Sequence, residues 1–245
     1  ESARERRMLM GLMRDLGNPK ATRFERRAPN PFTNTYLAVS CLYLTALDGV
    51  KYAVNCGKTP DELLKELSKT AGEDADYLQK EREYRCEKNV FEDYTQEERD
   101  AVFGKPPATV WENVKIMKEN PDKVAVLTQG DGISDAIVDS FVAGIVYRWE
   151  NELIDRLIPD TEAAVKRYKK LIHEDELDEE RWDSISTKRI ELIKDGRHKK
   201  CICTKLKEAL KRKDYDMASN LQQEMVRKTE ALGEEYRIYA LNIID

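Results

Sequence analysis

A chain of 245 residues, 36% of them charged and 40% hydrophobic, is long enough to bury a sizeable core, and its formal net charge of −5 argues against general nucleic-acid binding. With only 11 Gly and 8 Pro among abundant Lys, Glu, Leu and Ala, the composition favours helix. The charge is uneven: residues 1–30 hold eight Arg and Lys against four acids, a basic stretch suited to a compact anion such as a phosphate.

In chain order, "RRMLMGLM" is followed by the breakers Gly17, Asn18 and Pro19 and then "TRFER", a pattern that predicts a hairpin. Alternation along a strand puts Arg23, Glu25 and Arg27 on one side and Thr22, Phe24 and Arg26 on the other. A face with two guanidinium groups around one carboxylate cannot enter an apolar core unpaired. It must meet solvent, or a polar cavity holding metal and anions.

From Thr33 the sequence "NTYLAVSCLYLTALDGVKYAV" is apolar nearly all round, which predicts a helix buried on most sides. Gly49 inside it requires a reason, and the reading here is a neighbouring backbone passing close by. Capping boxes are expected at Thr59/Glu62, Thr95/Glu98 and Thr109/Glu112. A long helix capped by Ser134 should end at Pro159. The last third reads as helices with short charged connections, broken near Asp214, in an antiparallel bundle. Trp111, Trp149 and Trp182 fall on amphipathic helices as core anchors.

Zinc-site spacing is absent. Five cysteines form no CxxC pair, and they read as reduced thiols of a cytosolic protein. His173 and His198 lie in charged helical sequence and read as solvated. The apolar runs read as too short and too interrupted by charge for a signal peptide or membrane span. The expected placement is cytoplasmic, with no membrane and no nucleic-acid partner. The fold class is mainly α: a helical bundle-like assembly with a small N-terminal β-hairpin.

Several motifs occur together at family spacing. They are Lys20, Arg23-Phe24-Glu25-Arg26-Arg27, Pro29-Asn30-Pro31, Asn34-Thr35-Tyr36-Leu37-Ala38 and Leu47-Asp48-Gly49-Val50-Lys51. The stretch resembles the C-terminal part of the glutamine synthetase catalytic domain, firmly over residues 18–55. Residues 109–147 resemble the family's distal segment more loosely, through Thr109, Glu112, Gly132, Asp135, Val138, Asp139 and Phe141. Residues 57–105 have no clear counterpart and read as an insertion. The division implied is a catalytic-domain segment over 1–154 and a helical extension over 155–245.

The resemblance implies roles residue by residue. Glu25 would ligate a divalent cation, Mg or Mn, for which oxygen ligation is suited. Lys20 and Arg23 would approach the phosphates of ATP. Arg27 would contact glutamate and the transferring phosphoryl group. No role carries over to Arg7 or Arg14. The implied reaction is ATP-dependent ligation of glutamate and ammonia through γ-glutamyl phosphate, where charge neutralisation and in-line positioning matter most.

The resemblance also calls for further acidic ligands, a metal-binding His and an N-terminal domain. The expectation is therefore a C-terminal portion of a longer synthetase, inactive as this isolated chain. It would work with the rest of the catalytic domain and neighbouring subunits, as a homo-oligomer when full length. The alternative is a helical interaction or regulatory protein derived from a synthetase framework without catalysis.

Overall fold

The computed structural model describes residues 10–13, 17–26, 33–86, 88–130, 132–171 and 176–241. The fold is mainly α. Two short strands, β1 (Met10–Met13) and β2 (Arg23–Arg26), precede α1 (Thr35–Asn55), α2 (Pro60–Leu67), α3 (Gln96–Val102), α4 (Val110–Glu119) and α5 (Pro121–Ala125). After them come α6 (Asp135–Glu152), α7 (Ile158–Arg167), α8 (Glu176–Ile193), α9 (Ile202–Lys211) and α10 (Tyr215–Leu241). The chain divides into two compact units, Glu1–Pro106 with Asp122–Ser134, and Pro107–Pro121 with Asp135–Asp245. This is a division by compactness. The division at residue 154 concerns sequence origin, and it stays a proposal.

In the first unit β1 and β2 pair antiparallel, with Gly11 opposite Glu25 and Met13 opposite Arg23. Helix α1 starts at Asn34, whose side-chain oxygen accepts the Leu37 N–H at 3.2 Å. It packs against the 3-10 turn at Val126–Thr128. Helices α2 and α3 both open on complete capping boxes, Thr59 with Glu62 and Thr95 with Glu98. The third expected box is half formed. Thr109 accepts the Glu112 N–H, but the Glu112 carboxylate takes the Ala108 N–H at 2.6 Å and the Gln223 amide instead. Gly104 sits at φ +92°, and a Cβ there would come within 2.6 Å of the Arg82 guanidinium. Only glycine fits that corner without strain.

Three expectations fail around α1. No residue of α1 is buried in this chain, although the sequence is apolar nearly all round. Nothing lies within 4 Å of a Cβ built on Gly49, so no backbone crowds it here. Helix α1 is also long and apolar enough to cross a membrane by length and composition, with a mean hydropathy of 1.3 over its best window.

The second unit has its own core. Leu153, Ile158, Val165, Ile185, Leu192, Leu206, Met225 and Leu232 are fully buried where α8, α9 and α10 meet the α6–α7 rod. Burying a side chain of that size stabilises by about 1.5–3 kcal/mol. Polar ties fix the register: Thr109 to Ser219 at 2.7 Å, Trp149 Nε1 to Gln222 at 2.8 Å, and Ser184 to Glu235 at 2.7 Å. Trp149 is buried, and Trp111 and Trp182 pack on the same core.

The helix from Asp135 does not end at Pro159. A π turn at Leu153–Leu157 interrupts it, with the Ile158 N–H reaching back to the Leu153 carbonyl. Pro159 then falls within the first two positions of α7, where its missing donor costs nothing, and the rod continues to Arg167.

Candidate functional site

The charged hairpin strand is formed as the alternation requires. All four residues of β2 are exposed, Phe24 at 74%. The pleat sets Arg23 and Glu25 on one face and Phe24 and Arg26 on the other. Lys20 lies in the 3-10 turn Pro19–Ala21, which closes through the Thr22 N–H to the Pro19 carbonyl at 3.2 Å. Arg23 folds back on that turn, donating from Nη1 to the Ala21 carbonyl at 3.3 Å. Lys20, Arg23 and Glu25 therefore belong to one local unit, turn plus strand. Arg27 lies outside the described residues, as do Arg7, Arg14 and His173.

The donor set can be weighed against the cation that the resemblance implies. Mg or Mn in such sites takes about six oxygen ligands. Among the described residues no group of three or more His, Cys, Asp or Glu side chains could hold a metal ion. Glu25 offers one carboxylate. The described residues by themselves do not fit a metal site, and no chemistry is routed through one here.

The polar residues of the Leu-Asp-Gly-Val-Lys motif have a different use, which the sequence reading missed. Asp48 accepts the Tyr77 hydroxyl at 2.5 Å, and Lys51 donates to the Gln129 side chain at 3.1 Å. Tyr77 also stacks on Tyr52, centroids 4.5 Å apart. Lys58 joins them, reaching the Tyr52 hydroxyl at 3.0 Å and Glu66 and Asp76 at 2.9 Å each. These bonds, the Tyr52 one foremost, hold the Lys58 ammonium well above its usual range, and Lys58 in turn holds Glu66 below the carboxylate range. The bond to Asp48 pushes the Tyr77 phenol up to about 12. The arrangement is a latch between α1 and the segment after it. A signal was available: Asp48 and Lys51 are charges in an apolar helix and need partners.

One further feature stands out on α1. Tyr36, Val39, Tyr43, Leu47, Val50 and Val54 recur at helical spacing and are all exposed, Tyr36 at 88% and Val54 at 75%. Among the described residues it is an exposed apolar stripe.

Comparison with known proteins gives a class first: the stretch that holds this turn, strand and apolar helix is similar to a ligase catalytic domain. The model described as "Glutamine synthetase, catalytic domain" matches residues 2–84, so this segment of the chain is similar to that family. The match runs past residue 55 into the stretch that the sequence reading left without a counterpart.

Among curated relatives, a glutamine synthetase of Streptomyces filamentosus is 43% identical over 67 residues, 27% of this chain and 14% of that protein. One from Clostridium saccharobutylicum is 27% identical over 130 residues, 53% of this chain and 22% of the relative. A 3-hydroxylaminophenol mutase of Cupriavidus pinatubonensis is 31% identical over 87 residues, 31% of this chain and 18% of that protein. The chain thus spans only 11–22% of the length of the curated relatives it matches. No solved structure matches it.

Proposed function

We propose that residues 18–55 act as the C-terminal piece of an ATP-dependent glutamate–ammonia ligase site. In that whole enzyme Lys20 and Arg23 grip nucleotide phosphates, Arg27 holds glutamate and the phosphoryl group in transit, and Glu25 is one ligand of a Mg or Mn site whose other ligands come from elsewhere. The enzyme works in the cytoplasm as a homo-oligomer. The observation that carries this reading is the uncovered stripe on α1. Six large apolar side chains at one helical face demand cover, and the rest of a synthetase catalytic domain, with neighbouring subunits, is the partner that the family match supplies. The purified chain alone makes no glutamine, because one carboxylate and a few cations do not complete the site.

A chimera tests it. Residues 18–55 of this chain replace the matching segment of the Streptomyces filamentosus synthetase, and glutamine formation is assayed with and without Glu25→Ala. Retained turnover that collapses in the Glu25→Ala chimera, with the helices still folded, supports the reading. A chimera that folds but is equally active with Ala at position 25 sinks the metal assignment.

The second reading is a helical interaction protein on a synthetase-derived framework. It is favoured by the second unit, a packed bundle beyond the matched residues. The upstream coding sequence separates the two. If it lacks the acidic ligands and nucleotide-binding segments, the interaction reading stands alone.

A further inference from the structure

Residues 194–213 comprise the connector from α8, helix α9 and the two residues after it. They hold nine Lys and Arg against Asp195 and Glu208, in a chain that is acidic overall. Both acids are already engaged. Asp195 accepts the Cys201 N–H at 2.8 Å and the Thr204 hydroxyl at 3.1 Å, and Glu208 pairs with Lys200. Lys199, Lys207 and Lys213 pair with Glu191, Glu162 and Glu150. The other five cations, Lys194, Arg197, Lys205, Lys211 and Arg212, are exposed and make no ion pair among the described residues. Lys205, Glu208, Lys211 and Arg212 are spaced by threes and fours, so they share the outward face of α9. Lys200 reaches along that face to Glu208.

Local energetics do not account for this face. Lys211 and Arg212 suit the negative end of the helix, but no acid stands in its first turn. Lys200 and Lys205 flank the positive end, where a cation is unfavourable. An anion is the missing complement, and the chemistry of the stretch narrows which one. The apolar side of α9, with Ile202, Leu206, Ala209 and Leu210, is buried in the core, so nothing there is free to enter a bilayer. The stretch contains no Phe, Trp or Tyr on which unpaired bases could stack. Ten helical residues make the face about 15 Å long. A duplex or a membrane surface runs past it and meets the acidic remainder of the chain. Five extended residues span about 17 Å and stay on it. The guanidinium of Arg212 can fork onto a carboxylate, and the lysines serve as point charges beside it. We propose that the outward face of α9, with the connector before it, is a docking site for a short acidic segment of another polypeptide, whose carboxylates meet Lys205, Lys211 and Arg212.

The probe is hexaglutamate with a terminal fluorophore, titrated with the full chain and followed by anisotropy. Exposed ion pairs are individually weak and screened by salt, so binding should be reversible. Its dissociation constant should rise about tenfold or more from low to high salt. Lys205→Glu with Arg212→Glu should weaken binding at low salt by a similar factor. Lys65→Glu with Lys105→Glu makes the same change in net charge at exposed sites of the first unit, and should weaken it by about twofold or less. Lys205→Gln with Arg212→Gln puts no new acid on the helix and should weaken binding about threefold or more, so a charge-reversed pair that misfolds does not spare the proposal. No binding of hexaglutamate at low salt, equal loss in the two charge-reversed pairs, or no loss in the Gln pair overturns it. So does tighter binding of a short DNA duplex or of phosphatidylserine vesicles than of hexaglutamate.

Discussion

Tyr77 donates its phenolic hydrogen to Asp48 at 2.5 Å, joining a residue of α1 to the segment that follows α2. Its ring stacks on Tyr52, and Lys58 ties Tyr52 to Glu66 and Asp76. Tyr77→Phe keeps the stack and removes one bond to a carboxylate, so it should cost on the order of 1 kcal/mol. Hydrogen exchange is the suitable readout, because the loss should concentrate in α1 and residues 58–80. Uniform loss across both units would contradict the latch.

The same bond makes the latch sensitive to alkali. The Tyr77 phenol is raised to about 12 from an ordinary value near 10. A raised value means that the fold favours the protonated form. The contribution is fully present below pH 10 and is lost as pH rises through about 12. Tyr94 and Tyr215 are raised too, so tyrosinate absorbance should show several late-titrating phenols, with one fewer in Tyr77→Phe. A Tyr77 that titrates with the free tyrosines would remove the argument.

In the second unit, Leu206 is fully buried against the core of α8 and α10. Leu206→Ala leaves a cavity that the rods on either side can only partly close, at a cost of about 2–5 kcal/mol. Chemical denaturation followed by tryptophan fluorescence should report it, since Trp111, Trp149 and Trp182 all belong to this core. A change of only a few tenths would mean that the bundle is not packed as described.

Glu150 sets an acid limit on that unit. Burial alone pushes its carboxyl up, but hydrogen bonds from Lys213 and Tyr215 more than offset this, and the net direction is down. A lowered carboxylate stabilises above its unfolded value and loses that contribution as pH falls through the folded one. Lys213 itself stands at φ +58°, in the left-handed region. Lys213→Gly relieves the backbone and removes the pair, whereas Lys213→Ala keeps the strain and removes the pair. The expected order of melting temperature below neutrality is parent, then Gly, then Ala. As pH falls and Glu150 becomes protonated, the parent should drop to meet Lys213→Ala, with Lys213→Gly above both, because the backbone strain does not depend on pH.

Much of this was legible in the sequence. The hairpin followed from Gly17-Asn18-Pro19 between alternating runs, and the starts of α2 and α3 followed from Thr and Glu three apart, because these signals are local. Local pattern also predicted a helix from Thr35, but not its exposure, because which faces are covered is set by tertiary contacts and not by local periodicity. Pro159 was misread because the π turn at Leu153–Leu157 lets the helix pass the proline without ending. The site's charged strand was visible as alternation. The partners of Asp48 and Lys51 were not, since Tyr77 and Gln129 lie 29 and 78 residues away and only folding brings them near.

The stripe on α1 gives the sharpest separation between this chain and the enzyme proposed to contain its sequence. Val50 is 57% exposed and Val54 75%, so Val50→Ser with Val54→Lys should change the stability of this chain by no more than about 0.5 kcal/mol per site, as at any open surface. It should also reduce the chain's tendency to bind hydrophobic dyes, because it breaks an exposed apolar patch. In the synthetase chimera the same positions are expected to lie under the remainder of the domain. There a buried lysine without a partner costs several kcal/mol, and the pair of changes should abolish folding or assembly along with glutamine synthesis. Thermal melts of both proteins decide the matter. Equal tolerance in the two would mean that nothing covers α1 in the enzyme, and equal damage in the two would mean that α1 is already covered in this chain.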